Sequence, residues 1–340
     1  MARTRLLTLA AAAAASALLL TGCVAGENSG SSSEGTGDGF EGQSLNIDFA
    51  TYNPLSLIIK DQGWLEAEGL DVTWIQSAGS NKANEALRAG AIDVGSTAGS
   101  AALLARANGS TIKLVDIYSQ PEWSALVTLP ENGISSVDDL VGRKVAATKG
   151  TDPYFFLLQA LEAEGVAIDD ITVENVQHAD GWAALQNGSV DAWAGLDPIM
   201  AGAEVDGAEL FFREVGFNSY GALNATEDFI ENRPELLQLV IDAYESARVW
   251  AQENPEETAE ILAEVASLDV SIAQKVIDER SNLDVSGIPG QTQLDLFAKI
   301  GPVFVELGDV ATQEQVDEAL ATLIDASFAE AADSSRFGAE

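Results

Sequence analysis

The chain has 340 residues, and 46% of them are hydrophobic, which suits a folded protein of about two domains. Its formal charge is −37, from 54 acidic and 17 basic residues, so nucleic acid and anionic membrane surfaces are poor partners. A surface of this charge suits a soluble protein in a salty or extracellular setting and requires no bound cation. The single cysteine, Cys23, excludes an intramolecular disulfide and a cysteine-based metal site.

The first residues have the pattern of an export signal. Arg3 and Arg5 give a positive start, and residues 6–20 form an apolar run dominated by Ala and Leu. This run is too short and wrongly flanked for a stable membrane span. We therefore expect residues 1–22 to be a signal peptide.

The sequence LTGC at residues 20–23 resembles the lipobox of bacterial lipoproteins, in which the cysteine becomes the lipidated first residue. The resemblance implies a lipid anchor on Cys23. The following residues are rich in Gly, Ser and acidic side chains, with almost no apolar content. We expect residues 23–43 to be a flexible tether that holds a soluble part near the membrane.

From residue 44, short apolar runs alternate with amphipathic stretches, which is typical of a mostly parallel sheet with helices on both faces. The predicted strands are residues 45–51, 71–76, 92–96 and 112–118. The predicted helices are residues 55–68, a stretch through 84–88, and 101–107. These elements predict a first α/β lobe.

A second α/β lobe is predicted inside the first. Residues 124–129 form a strand that leaves the first lobe, and 220–224 form one that returns. Between them the alternation repeats, with strands at 144–147, 171–176, 190–194 and 210–215, and helices at 137–141, 153–161, 182–186 and after Pro198. Two crossing strands then form a hinge. The expected boundaries are 44–125 and 218–330 for lobe one and 126–217 for lobe two.

The stretch KVAATKGTDPYFFLLQAL, residues 144–161, organises the second lobe. It predicts a short strand, a turn at 149–152 and a helix with Pro153 in its first turn. Unpaired backbone N–H groups and the helix dipole make such a turn a cradle for an anion. The alternative is an ordinary strand-to-helix connection.

The remainder is predicted to be helical and to pack on the back of lobe one, with no apparent chemistry. The predicted helices are 235–254, 256–267, 272–279, 291–306 and 313–329, after a capping motif at 226–228.

Several segments together resemble the solute-binding proteins of bacterial ABC importers in the aliphatic-sulfonate, nitrate and taurine group. The segments are AIDVGSTAGSAALL, SALVTLP, SSVDDLVGRKVAATKGTDPYFFLLQALEAEGV and NGSVDAWAGLDP, after a lipobox and a tether. The most specific parts are residues 134–150 and 188–198. The resemblance implies a type II periplasmic-binding-protein fold, in which two α/β lobes close on a ligand. It also implies a monomer that is no enzyme, binds no cofactor or metal, and works outside the cytoplasm with a permease and ATPase subunits.

A sulfonate needs several hydrogen-bond donors around its head and an apolar wall for its tail. Loops after the carboxyl ends of strands bind ligands in open α/β sheets. Such loops supply Tyr52, Asn53, Gly79, Ser80, Thr97, Gly99 and Ser100 in lobe one, and Lys149, Gly150, Thr151 and Asp152 in lobe two. None of these loops contains an arginine, so hydroxyls and dipoles are expected to hold the head.

Other residues have two interpretations each. Asp197 accepts a hydrogen bond from a ligand amine or caps the helix that begins at Pro198. Trp123, Trp193 and Tyr154 wall the ligand's tail or belong to the core. The lone histidine, His178, follows a strand and reaches the cleft or is structural.

Different cargoes and a different class of function stay open at this point. The same receptor role fits nitrate, taurine or a thiamine-pyrimidine precursor. An enzyme on this fold, similar to the pyrimidine-synthesis proteins, needs reactive His and Cys side chains, and the chain has one of each. Its acidic residues are scattered, no His or Cys pair has ligand spacing, and no glycine-rich phosphate motif follows a strand.

Overall fold

The computed structural model describes residues 39–338. The expected signal peptide, the lipid anchor at Cys23 and most of the tether lie outside these residues and stay predictions. Among the helices of residues 39–338, none combines the length and the apolar content that crossing a bilayer requires.

The strands of residues 39–338 form two five-stranded sheets. The first has the order β2-β1-β3-β10-β4, with β1 Ser44–Phe49, β2 Asp71–Gln76, β3 Val94–Ala98, β4 Ile112–Ser119 and β10 Gly221–Thr226. The second has the order β7-β6-β8-β5-β9, with β5 Ser124–Thr128, β6 Lys144–Ala147, β7 Thr172–Asn175, β8 Ala192–Leu196 and β9 Glu209–Phe212. In each sheet four strands point the same way, and the fourth in order is antiparallel to both of its neighbours.

The chain passes between the sheets twice. Residues 120–123 join β4 to β5, and residues 213–220 join β9 to β10. The strands on either side belong to different sheets, as predicted, while the joining residues themselves pair in neither sheet. We call residues 120–123 and 213–220 the two crossing segments. The exact lobe boundaries given above stay a prediction.

Helices follow most strands and continue to the carboxyl terminus of the described residues. They are α1 Pro54–Gln62, α2 Trp64–Ala67, α3 Ser80–Arg88, α4 Gly99–Ala107, α5 Asp152–Glu164, α6 His178–Gln186, α7 Ile199–Val205, α8 Glu227–Asn232, α9 Pro234–Glu253, α10 Pro255–Ala266, α11 Val270–Val276, α12 Gln291–Glu306, α13 Gln313–Thr322 and α14 Ser327–Glu330. Short 3₁₀ turns lie at Pro130–Asn132, Val137–Leu140, Ile168–Asp170 and Val215–Phe217, and a π-helical turn at Ile277–Ser281 follows α11.

Two predicted helices are interrupted. The helix predicted over 55–68 is two helices, because Gly63 adopts a left-handed conformation at φ +63° and caps α1. The helix predicted over 313–329 ends at Thr322, because the backbone around Ile324 pairs with Leu114 at the edge of β4. In both places a local backbone requirement overrides the amphipathic pattern.

Two strands lie two residues further along the chain than predicted. The third strand covers Val94–Ala98 and not 92–96, so Thr97 lies within it and Gly99 begins α4 directly. The strand predicted at 190–194 covers Ala192–Leu196, so it ends at Leu196, directly before Asp197. These shifts change which side chains lie at the strand ends.

Aromatic packing joins α5 of the second sheet to the carboxyl-terminal helices. Phe155 in α5 lies 4.8 Å, centroid to centroid, from Phe304 in α12, and both are buried. Leu103 of α4 belongs to the same apolar cluster. Burial of each such side chain contributes about 1.5–3 kcal/mol.

A buried carboxylate lies in the middle of the first sheet. Asp48 in β1 accepts hydrogen bonds from the Ser96 N–H at 2.9 Å and the Ser96 hydroxyl at 3.1 Å. Because the side chain is fully buried, the loss of hydration raises its pKa from 3.8 to about 7.

We expect Asp48→Asn to flatten the pH dependence of stability. Between about pH 4 and pH 7 the unfolded chain releases the Asp48 proton while the folded chain keeps it, so the free energy of unfolding falls as pH rises. This decline is roughly 3–4 kcal/mol and ends above the folded pKa. Asparagine does not ionise and can still accept from Ser96. Urea unfolding across this range measures the difference, and parallel profiles for the two proteins would contradict it.

Candidate ligand-binding site

A small cavity lies between the two sheets. Its lining combines residues of both sheets and one crossing segment, namely Tyr52, Ser80, Trp123, Thr151, Asp152, Pro153, His178 and Leu196. Its volume is about 10 Å³, which matches about one water molecule. The sheets are therefore closed on each other in this structure.

Three helices begin at this cavity. Ser80 is the first residue of α3, Asp152 of α5 and His178 of α6, so helices from both sheets direct their amino ends towards one place. The amino end of a helix carries partial positive charge and unpaired backbone donors. The arrangement favours a negative group although the surrounding protein is strongly acidic.

Asp152 places a carboxylate among these donors. Its Oδ1 accepts from the hydroxyl of Ser100 at 2.7 Å and from the hydroxyl of Ser219. Its Oδ2 accepts from Nε1 of Trp123 at 2.8 Å and from the Ser219 N–H at 2.9 Å. Burial raises the pKa of Asp152, and these hydrogen bonds oppose the rise. Hydroxyls, an indole and a backbone amide thus bind an oxyanion here without a cation.

These bonds also join the two halves of the molecule. Ser100 belongs to α4 of the first sheet, while Trp123 and Ser219 belong to the two crossing segments. Asp152 itself begins α5, which follows β6 of the second sheet. The predicted site residues Ser100, Trp123 and Asp152 are therefore brought together by direct contact.

Four further predicted residues lie at or beside the cavity. Tyr52 lines it, and its hydroxyl donates to the Ser96 carbonyl at 3.1 Å. Ser80 and Thr151 line it from opposite sheets, and Gly79 lies against the imidazole of His178.

Gly150 and Lys149 lie on the rim. A Cβ on Gly150 would stand 3.7 Å from the Cβ of Asn81 across the cleft. Lys149 is exposed, with Nζ 5.5 Å from the ring centroid of Tyr154, and its backbone N–H donates to Asn175. Its ammonium therefore lies outside the cavity lining.

Four other predicted residues do not line the cavity. Asn53 caps α1 and donates to the Tyr244 hydroxyl, and Thr97 is bonded to Asn224 inside the first sheet. Gly99 packs against Phe297, where a Cβ would come within 2.4 Å of the ring. Tyr154 is buried in the apolar cluster around α5.

The two tryptophans have different positions. Trp123 lines the cavity, and its ring lies edge-on to Tyr52 at 5.9 Å. Trp193 is buried in β8, where it packs on Trp182 at 6.2 Å and against Gly181. In this structure the core interpretation therefore describes Trp193, and only Trp123 is positioned as a wall.

Asp197 caps a helix and also pairs with an arginine that the sequence did not single out. Its Oδ1 accepts from the Ala201 N–H at 2.9 Å, and both oxygens lie 3.1 Å from Nη1 of Arg280. Burial raises the pKa of Asp197 to about 6, and Arg280 opposes the rise. Arg280 also binds Glu204, and the hydrogen bonds of Asp197 in this structure go to Ala201 and Arg280.

The lone histidine lies at the cavity and is neutral. Only 2% of His178 is exposed, and burial lowers its pKa to about 4. Arg280 and Ser219 were not predicted as site residues, because their partners Asp197 and Asp152 are distant in the sequence and no motif marks the contacts.

A larger groove on the outer surface does not suit an anion. It has a volume of about 850 Å³ and lies along α1, α9 and α10. Its acidic lining residues are Asp61, Glu253, Glu257, Glu260 and Glu264. Their charge repels an anionic ligand, whereas the helix amino ends attract one.

Comparisons with known proteins agree with this picture. A family described as NMT1/THI5 like matches residues 55–258. A protein of Escherichia coli (strain K12) named for the binding of aliphatic sulfonates is 29% identical over 236 residues, 66% of this chain and 74% of its own. The structure of the alkanesulfonate-binding protein SsuA from Xanthomonas axonopodis pv. citri, bound to MOPS, has a TM-score of 0.75 at 23% identity, covering 82% of this chain and 98% of that one.

An enzyme has a similar structure. The desulfurization enzyme DSZB has a TM-score of 0.63 at 14% identity, covering 85% of this chain and 98% of its own. At such identities the solved structures establish the fold alone. The two-lobe type II periplasmic-binding-protein fold predicted from the sequence is thereby confirmed.

Proposed function

Because the chain belongs to the NMT1/THI5-like family, we propose that it is the solute-binding component of an ABC importer and that its ligand is an aliphatic sulfonate. The sulfonate-binding relative and the alkanesulfonate-binding structure support this substrate class. The ligand is bound between the lobes and is then delivered to a permease.

The observation that carries the proposal is the meeting of three helix amino ends, from both sheets, at one cavity. Ser80, Asp152 and His178 begin these helices. A sulfonate is a permanent anion with three acceptor oxygens, which matches convergent backbone donors and hydroxyls. Trp123 and Tyr52 offer an aromatic wall for its tail.

The lobes must open before a ligand enters. The closed cavity of about 10 Å³ has no room for a sulfonate group. Opening separates Asp152 from Ser100, and the crossing segments are the natural hinge because they alone are covalent links between the sheets. Ligand bound between the lobes then replaces these contacts and favours closure.

The cellular setting follows from the amino-terminal pattern. We propose that Cys23 carries a lipid anchor, so that the protein acts as a monomer on the extracytoplasmic face of the cell membrane. ATP hydrolysis then belongs to partner subunits. Globomycin, which blocks lipoprotein signal cleavage, and Cys23→Ser, which removes the lipidated residue, are both expected to cause the precursor to accumulate.

Binding is favoured over catalysis. The similarity to DSZB shows that this fold can carry an enzyme. The chain, however, has only one histidine, which is neutral and buried, and its one cysteine stands in the lipobox-like motif.

A thermal-shift screen tests the proposed ligand. Ligand at a hundredfold excess over its dissociation constant adds about 2.7 kcal/mol of stability. We expect alkanesulfonates to raise the melting temperature, and nitrate, sulfate and thiamine pyrimidines to have little effect. A rise with nitrate or pyrimidines alone would keep the receptor role and change the cargo. No rise with any of these compounds would contradict the proposal.

A further inference from the structure

His178 has one ring nitrogen without a partner. The Nδ1 atom lies 3.2 Å from the hydroxyl oxygen of Thr148, whereas Nε2 is buried and has no hydrogen-bond partner among the described residues. The side chain is 98% buried and lines the cavity between the lobes. A buried polar atom without a partner is destabilising, so its presence beside a ligand cavity indicates a role in binding.

The neighbouring hydrogen bonds determine which nitrogen carries the proton. The Thr148 hydroxyl donates its only hydrogen to the Val176 carbonyl at 2.7 Å. The contact between Thr148 and His178 therefore requires a hydrogen on Nδ1. A neutral imidazole has one proton, and burial keeps His178 neutral with a pKa of about 4. Nε2 is thus an acceptor.

A second acceptor lies at the same place. A Cβ built on Gly79 would stand 3.0 Å from Nε2 of His178 and 3.0 Å from Oδ1 of Asn81. Oδ1 of Asn81 is also buried without a partner. Both acceptors therefore lie beside Gly79, and neither has a donor among the described residues. Asn81 and His178 belong to helices of different sheets, so the two acceptors come from opposite sides of the cleft.

A simple alkanesulfonate does not satisfy these atoms. Its head offers only acceptors, and its hydrocarbon chain offers no N–H or O–H. We propose that the ligand carries a hydrogen-bond donor, a hydroxyl or an amine, on its carbon chain, and that Nε2 of His178 accepts from it. This inference rests on the proposed function and makes His178 a specificity-determining residue for that site.

Three two-carbon sulfonates test the proposal by calorimetry. Ethanesulfonate has no donor on its chain, 2-hydroxyethanesulfonate has a hydroxyl, and 2-aminoethanesulfonate has an ammonium. The wild-type protein is expected to bind at least one donor-bearing compound about tenfold or more tightly than ethanesulfonate. Comparison of the affinities for 2-hydroxyethanesulfonate and 2-aminoethanesulfonate shows whether the donor on the ligand is a hydroxyl or an amine.

Two substitutions of similar length isolate the acceptor. His178→Met replaces it with a thioether sulfur, a much weaker acceptor, and His178→Gln keeps an acceptor oxygen near the position of Nε2. The preference, expressed as a ratio of dissociation constants, is expected to fall to about one in His178→Met and to be partly kept in His178→Gln. Arg143→Met, on the surface with its partner Asp191 and outside both the cavity and the crossing segments, serves as the control and keeps the wild-type ratio.

Nitrogen-15 NMR of His178 tests the same hydrogen bond in the wild-type protein, so the test does not require the variants to fold. His178 is the only histidine, so after removal of any affinity tag both imidazole ¹⁵N signals belong to it, and the coupling of Nε2 to both carbon-bound ring protons distinguishes it from Nδ1. In the free protein Nε2 is expected to have the shift of an unprotonated nitrogen. The donor-bearing sulfonate is expected to move that signal towards the hydrogen-bonded range, and ethanesulfonate to leave it in place.

The possible results separate the two claims. If all three sulfonates bind equally, or if His178→Met keeps the preference, the inference is overturned while the proposed function stands. A donor-bearing sulfonate that binds but leaves the Nε2 signal where the free protein has it also overturns the inference. If no sulfonate binds, both the inference and the proposed function are overturned.

Discussion

Replacing Arg280 by methionine is expected to lower the free energy of unfolding by about 3–5 kcal/mol at pH 8. The guanidinium is 99% buried and lies between Asp197 and Glu204. Methionine has a similar length, so most of the packing is kept while the carboxylate of Asp197 loses its charged partner in a buried site. Urea unfolding monitored by circular dichroism measures the loss.

The effect has a defined pH dependence and a matched control. The pKa of Asp197 is about 6 in the folded protein and rises further without Arg280, so at pH 5 the side chain is protonated in both proteins. The destabilisation is therefore expected to be smaller at pH 5 than at pH 8. Arg213→Met breaks an ion pair whose members are 43% and 21% exposed and is expected to cost about 0.2–1 kcal/mol. Equal costs for the two variants would contradict a specific role for the buried pair.

A disulfide across the cleft is expected to abolish ligand binding. The Cβ of Asn81 lies 3.7 Å from a Cβ built on Gly150, within the range of disulfides. Asn81 belongs to α3 of the first sheet, and Gly150 follows β6 of the second. Oxidised Asn81→Cys/Gly150→Cys protein is therefore held with a cavity of about 10 Å³. In calorimetry it is expected to show no binding, and reduction is expected to restore it.

The controls distinguish the effect of the disulfide, which holds the lobes closed, from the effect of the two substitutions on the backbone. Gly150 has φ +77°, where a side chain costs about 1–2 kcal/mol, so the reduced double variant reports the effect of the substitutions alone. All variants are made with Cys23→Ser, which leaves the two engineered thiols as the only ones. Wild-type affinity in the oxidised protein, with the disulfide verified by mass spectrometry, would show that binding does not need the lobes to open.

Much of the fold is predictable because the signal for it is local. The stretch at 144–161 gave a strand, a turn and a helix, and the structure has β6 and then α5 from Asp152. The helix predicted at 291–306 matches α12. Two helix ends were predicted wrongly, because a single residue ends each helix. Gly63 ends α1 by its left-handed conformation, and the pairing of Ile324 with Leu114 at the edge of β4 prevents the last helix from continuing.

The side-chain partners at the site were less predictable, because they depend on contacts distant in the sequence. Asp152 was expected to support an anion cradle, and its carboxylate instead accepts hydrogen bonds from Ser100 and Ser219, 52 and 67 residues away. Arg280 had no sequence signal, since its role depends on meeting Asp197, 83 residues away. Trp193 lies within the predicted strand and within the observed one, and its burial follows from packing on Trp182 and Gly181, which the strand prediction did not show.

Isothermal titration calorimetry with a short alkanesulfonate tests the central claim most directly. The account predicts saturable binding of one ligand per chain, with a negative heat-capacity change because an apolar tail is buried between the lobes. The alkylammonium of the same chain length, a cation, is expected to give no heat. Absence of heat with every sulfonate, while circular dichroism shows a folded protein, or equal binding of the ammonium compound, would contradict the account.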